Sequence, residues 1–212
     1  ADTRISALEA LGRVAKRGDE EAIAAVCARI ADDVATVREA AIEVLPQLAK
    51  RGDRRAVAAV TARLEYQDAE IRGAAVKALG CIGLEGEAHA VVAVSARLGH
   101  PDAGVRQAAV SAFAGIVRKG DEGAIAAVLA RLEDQDAQVR RAAIEVLSHI
   151  SERGSTTAIA AATSCLEDPS TEVRGAAVRS LGQITERGDK CTITAVSALL
   201  AHRGAEVRCS AL

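Results

Sequence analysis

Aromatic residues are nearly missing from this chain of 212 residues: it has one Phe (Phe113), one Tyr (Tyr66) and no Trp. That scarcity excludes stacking platforms for bases, sugars or quaternary amines. Methionine is absent as well, so the 50% apolar content comes from Ala, Val, Leu and Ile. Neither sign of charge dominates. Acidic and basic residues are interspersed and the formal net charge is −2, so no global basic field draws nucleic acid or anionic lipid. No apolar run approaches the ~20 residues needed to cross a bilayer, which argues against membrane insertion. The five cysteines (Cys27, Cys81, Cys165, Cys191 and Cys209) include no short C-x-x-C pair. An odd count without a framework argues against disulfides and for a reducing, intracellular compartment, with the cytoplasm first.

Sequence signatures of catalysis are equally scarce. The histidines His89, His100, His149 and His202 sit in no H-E-x-x-H pattern and beside no Cys at ligand spacing. Gly115 to Gly120 is followed by Asp121 where a phosphate-binding loop needs Lys and Ser or Thr. We expect no enzyme activity, no metal and no cofactor.

What the chain does have is a period. Arg4, Arg38, Arg72, Arg106, Arg140, Arg174 and Arg208 recur every thirty-four residues, without insertion or deletion. Ala7, Ala41, Ala75, Ala109, Ala143, Ala177 and Ala211 do the same, as do Gly18, Gly52, Gly86, Gly120, Gly154 and Gly188. A fixed period of this size marks a stack of supersecondary units, none able to bury its apolar face alone. The reading is one array over 1–212. It has a partial unit 1–18, full units 19–52, 53–86, 87–120, 121–154 and 155–188, and a partial unit 189–212. Neither end carries a polar capping unit, which a solenoid needs for solubility. The expectation is a piece of a longer array, or end-to-end self-association through the uncapped ends.

One repeat shows the local logic. Asp121 can cap a first helix reaching about Glu133, with Ile125, Val128, Leu129 and Leu132 on one stripe. Asp136 can cap a second helix reaching about Glu152, with Val139, Ala143, Val146, Leu147 and Ile150 facing the core. Gly154 is then expected to stop that helix in a left-handed conformation. The small columns Ser6, Ala40, Ala74, Ala108, Ala142, Ala176, Ser210 and Ala25, Ala59, Ala93, Ala127, Ala161, Ala195 read as contacts between neighbouring pairs. Pro46 removes a backbone donor and is expected to kink the second helix of its unit. Arg-Gly-Asp at 17–19, 51–53 and 187–189 reads as loop grammar: Gly ends one helix, Asp caps the next, and Arg suits the end of a helix dipole. The fold expected is an all-α solenoid of stacked antiparallel helix pairs.

The segment L-E-D-Q-D-A-Q-V-R-R-A-A-I-E-V-L, Leu132 to Leu147, resembles the HEAT repeat, in particular the short variety named after phycobilisome lyases. Further copies run over Ile30–Leu45, Leu64–Leu79, Leu98–Phe113, Leu166–Leu181 and the truncated Leu200–Leu212. Tetratricopeptide repeats share the period, but they need Trp, Tyr, Phe and Pro at positions where this chain lacks them. The resemblance implies a HEAT-like superhelix with a structural ladder in which a turn Asp meets the second-helix Arg: Arg38, Arg72, Arg106, Arg140, Arg174 and Arg208. The Asp column reads Asp32, Tyr66, His100, Asp134, Asp168 and His202. Asp68 and Asp102 stand close enough in sequence to substitute in two units, whereas Gly204 cannot in the third.

The resemblance further implies that second helices line the binding face. Helix phase turns the columns represented by 39, 43, 46, 47 and 50 away from the core. Along them the charge thins in the second and third full units, around Gly73, Gly80, Cys81 and Leu84. Lys77, Cys81, Leu84, Ser111 and Arg118 are therefore the candidate contacts for a protein partner. The function expected is a non-catalytic scaffold or adaptor. The alternatives are a subunit of a bilin lyase or isomerase, for which the chain offers no specific residue, and a structural spacer.

Overall fold

The computed structural model describes residues 1–83, 88–186, 188–189, 192–194 and 196–197. It forms two compact units, 1–117 and 118–212. Its fold is an all-α solenoid of stacked antiparallel helix pairs, and no strand occurs among the described residues.

The first unit holds α1 (Asp2–Val14), α2 (Glu20–Arg29), α3 (Ala35–Leu48), α4 (Arg54–Thr61), α5 (Ala69–Ile82), α6 (Ala88–Ser95) and α7 (Ala103–Ile116). The second holds α8 (Glu122–Leu129), α9 (Ala137–Ile150), α10 (Thr156–Ser164) and α11 (Thr171–Ile184). In the first unit the odd-numbered second helices pack in sequence, α1 on α3, α3 on α5 and α5 on α7, while α2, α4 and α6 form the other layer. In the second unit α9 packs on α11, with α8 against α9 and α10 against α11.

The columns explain the core. Ala41, Ala75, Ala109, Ala143 and Ala177 are all 0% exposed, so the invariant alanine marks where the second helix lies tightest against its neighbours. Around it, Val37, Leu45 and Leu48 recur as Val105, Phe113 and Ile116 and as Val139, Leu147 and Ile150, every one buried. Each such apolar side chain contributes about 1.5–3 kcal/mol on burial. The caps are where short polar side chains precede a helix. Asp19, Asp53, Asp121 and Ser155 accept first-turn N–H groups on α2, α4, α8 and α10, and Asp68, Asp102 and Asp136 do so on α5, α7 and α9.

Several local expectations need correction. α8 stops at Leu129 and a 3₁₀ turn, Ala130–Glu133, completes it. On its stripe only Val128 is fully buried, with Ala124 beside it; Ile125, Leu129 and Leu132 are half-buried. The first-helix alanines are not close contacts either: Ala25 is exposed and Ala59, Ala93, Ala127 and Ala161 are half-buried. On the second helices Ala74, Ala108, Ala142 and Ala176 are buried, whereas Ala40 is half-buried and Ser6 exposed. Ala195 and Ser210 lie outside the described residues. Apart from these corrections, α3 contains Pro46 and runs on to Leu48.

The loop glycine works differently from a helix cap. α9 ends at Ile150, and Ser151 leaves it in an extended conformation. Gly154 lies three residues further on at φ +80, and its N–H donates to the Ile184 carbonyl of the next repeat at 2.7 Å. The bond recurs from Gly18 to Leu48, Gly52 to Ile82 and Gly120 to Ile150, at 2.7–2.8 Å. It satisfies a carbonyl that the end of a helix leaves without an internal partner. The preceding arginine adds a second stitch, because Arg51 Nε donates to Gly83 O at 3.1 Å and Arg153 Nε to Thr185 O at 3.2 Å. The Arg-Gly-Asp triplet at 51–53 thus joins its repeat to the next and then caps a helix, and at 17–19 the glycine makes the joint and Asp19 the cap; Arg187 lies outside the described residues.

Two substitutions check this account by thermal melts. Gly154→Ala has open space for its methyl group, so the expected loss of about 1–2 kcal/mol comes from the left-handed backbone alone. Ala108→Leu, on a buried face of α7, is expected to lose about 1–3 kcal/mol through overpacking. An unchanged melting temperature in either case contradicts the corresponding contact.

Candidate partner-binding faces

The invariant arginine has a task that does not depend on a carboxylate. Its Nη1 donates to the two carbonyls of the turn that precedes its own helix. Arg38 reaches Asp32 O (2.8 Å) and Asp33 O (3.2 Å), and Arg72 reaches Tyr66 O and Gln67 O (both 2.7 Å). Arg106 reaches His100 O (2.8 Å) and Pro101 O (2.9 Å), and Arg140 reaches Asp134 O (2.8 Å) and Gln135 O (3.0 Å). Arg174, only 2% exposed, reaches Asp168 O (2.9 Å) and Pro169 O (3.1 Å). A guanidinium has five N–H donors, so one nitrogen can hold two adjacent carbonyls and leave the other donors to spare. Arg208 lies outside the described residues.

The spare donors face different partners. Arg140 grips Asp168 of the following repeat in bidentate fashion, Nε to Oδ2 at 2.8 Å and Nη2 to Oδ1 at 2.9 Å. Burial alone would push the Asp168 carboxyl up, but the Arg140 donors and the Ser170 N–H outweigh it and hold it below 3.8. Arg4 reaches Asp32 at 3.0 Å. Arg38, opposite Tyr66, pairs with Glu70; Asp68 is occupied as the cap of α5, so the substitute acid is not the one expected. Arg72 lies over Gly104, where an added Cβ would sit 2.2 Å from its Nη2. Asp102 accepts Val105 N–H as the cap of α7, and that bond, the Gly104 N–H and the charge of Arg72 hold its carboxyl low. Glu70 and Gly104 share one column in the first turn of the second helix, a signal that reading the turn column alone misses.

The candidate contact residues separate. Lys77 and Cys81 are exposed on α5 and Ser111 is half-buried on α7, all in the first unit. Arg118 is exposed and opens the second unit, and Leu84 lies outside the described residues. The low charge between α5 and α7 has a packing cause. A Cβ at Gly115 would lie 2.6 Å from Gly80 Cα, so the two helices cross backbone to backbone at this pair of glycines. Exposed Lys77 and Cys81 flank that crossing.

The second unit carries a polar network on its second-helix face. Glu145 accepts from Arg141 at 3.3 Å and from Arg179 at 3.0 Å, and Gln138 donates to Glu172. Ser148, expected on the open face, is 7% exposed and bonds Gln183 at 2.8 Å. Gln138, Arg141, Thr171, Glu172, Gly175 and Arg179 line a groove of about 480 Å³ here.

Among the described residues no group of three His, Cys, Asp or Glu side chains could hold a metal ion, and no helix is long and apolar enough to cross a membrane. Burial pushes the Cys27 and Cys165 thiols up to about 11, leaving both protonated at neutral pH. His149 sits against Glu145 O at 2.8 Å, and His100 Nδ1 accepts from the Asp102 N–H at 3.1 Å. His202 lies outside the described residues.

The pattern of HEAT repeats matches residues 46–114, 91–161 and 125–212. The chain belongs to the HEAT-repeat family. No curated protein sequence matches it. The HEAT fold is shared with a designed armadillo repeat protein in complex with the peptide (KR)4, at 19% identity and a TM-score of 0.53, covering 89% of this chain and 96% of that one. YibA of Escherichia coli is similar at 19% identity and a TM-score of 0.60, over 97% and 71% of the two chains. An archaeal HEAT-like repeats protein from Thermococcus onnurineus is similar at 17% identity and a TM-score of 0.51, over 99% and 88%.

In this HEAT-repeat chain the Arg140–Asp168 pair, with side chains 13% and 10% exposed, carries two expectations. Arg140→Ala should lose about 3 kcal/mol in denaturant titrations, since it strands a carboxylate in a largely buried place; Arg72→Ala should lose less. Because the folded Asp168 value is depressed, its stabilisation is complete above the ordinary carboxylate range and falls away as the pH drops below 3.8. Asp168→Asn should flatten that acid limb. An identical limb in the variant assigns the acid sensitivity to other groups.

Proposed function

We propose that this HEAT-repeat protein is a non-catalytic interaction scaffold that takes a partner polypeptide along the second-helix face. The observation that carries the reading is the exposure of Lys77 and Cys81 on α5, with Ser111 half-exposed on α7, in columns that take no part in the core or the arginine row. Neither the core nor the turn carbonyls hold Lys77 and Cys81, so both are free to serve recognition. Membership of the family supports the reading, as does the fold shared with a designed armadillo repeat protein whose structure holds a peptide.

The test is selection of binders from a displayed random-peptide library, followed by hydrogen-exchange mapping. The expected outcome is protection of α5 and α7, with affinity falling about tenfold in a Lys77→Glu, Ser111→Glu variant that melts normally. Binders whose affinity the double variant leaves unchanged would remove this face as the site.

A further inference from the structure

The first helices carry a second kind of surface, and the two units treat it differently. In the first unit α2 and α4 leave a groove of about 500 Å³ lined by Glu20, Ile23, Ala24, Cys27 and Arg55 among others. An Arg55–Glu20 ion pair bridges it, and its apolar floor is covered, with Ile23 5% and Cys27 1% exposed. In the second unit the same repeat positions on α8 and α10 leave a groove of about 740 Å³, within the ~300–1,000 Å³ of clefts that hold ligands.

Three substitutions within the repeat distinguish the larger groove. Thr157 stands in the column of Arg55, so nothing reaches across to Glu122, the counterpart of Glu20. Ile125 and Leu129 stand in the columns of Ile23 and Cys27, and both are half-exposed on the groove floor with Ala126. Glu152 stands in the column of Lys50, and its carboxylate lies over Gly120, where an added Cβ would be 3.2 Å from Oε1. Among the described residues neither Glu122 nor Glu152 has an ion-pair partner. Arg153 also lines the groove, but its Nε is held by Thr185 O at 3.2 Å. The result is an aliphatic floor whose rim carries two unpaired carboxylates against one guanidinium, that of Arg153.

We infer that the α8–α10 groove is a docking site for a short basic amphipathic segment of a protein partner. Aliphatic side chains of the segment would cover Ile125 and Leu129, and its lysines or arginines would meet Glu122 and Glu152. An aliphatic floor demands apolar cover, and a partner that brings positive charge gains at the rim where a neutral or acidic one loses. This surface is separate from the second-helix face, and the two readings stand or fall independently.

The experiment is fluorescence anisotropy of a labelled peptide of alternating leucine and lysine, with its leucine–glutamate counterpart as the comparison. Saturable binding is expected for the basic peptide and not for the acidic one. A Glu122→Lys, Glu152→Lys variant should weaken it at least about tenfold, and so should Ala126→Trp, which covers the floor from an exposed position. Glu39→Lys, Glu43→Lys on the exposed second-helix face of α3 should leave it unchanged. Thermal melts confirm that each variant is folded. Equal binding of the acidic peptide overturns the inference. So does insensitivity to both groove variants, or loss of binding in the α3 variant instead.

Discussion

A helix pair of this size cannot bury its apolar face alone, so everything here depends on how one repeat is joined to the next. The joint is a backbone hydrogen bond: the loop glycine N–H of one repeat donates to the last helical carbonyl of the following second helix, as from Gly154 to Ile184 at 2.7 Å. The donor points that way only because the glycine adopts a positive φ, which a side chain would penalise. An extra residue between a glycine and the carbonyl it meets would misalign both. That requirement accounts for a period kept without insertion or deletion.

The arginine row is a second, independent device. By holding two turn carbonyls with one nitrogen, each arginine fixes the turn between its own two helices and leaves further donors for the next repeat. This explains why the residue persists opposite Tyr66 and His100, where the turn column holds no aspartate. The carboxylate opposite is an addition that varies: Asp168 pairs with Arg140 and Glu70 with Arg38, while Arg72 lies over Gly104 with its charge felt by Asp102.

With turns, core and joints fixed by so few columns, the remaining positions are free to differ from repeat to repeat, and the differences are where recognition can reside. The second-helix face shows this in two forms, the glycine crossing of α5 and α7 and the charged network of α9 and α11. The first-helix grooves show it again, bridged by Arg55 and Glu20 in one unit and open between Thr157 and Glu122 in the other. A repeat family can vary its surface this way without disturbing its stack.

The sequence alone determined the helix pairs, the capping aspartates, the buried face of each second helix and the membership of the invariant columns. Those properties follow from local periodicity and from residue types whose backbone preferences are strong. It left undecided which acid meets each arginine, why Gly115 is a glycine, and whether Ile125 and Leu129 are covered. It also misplaced Ser148 and the stop of α9. These questions turn on distances between repeats: the reach of a guanidinium, the crossing of two helices, the width of a groove. A period records that neighbours exist, and only the tertiary structure decides how closely they approach.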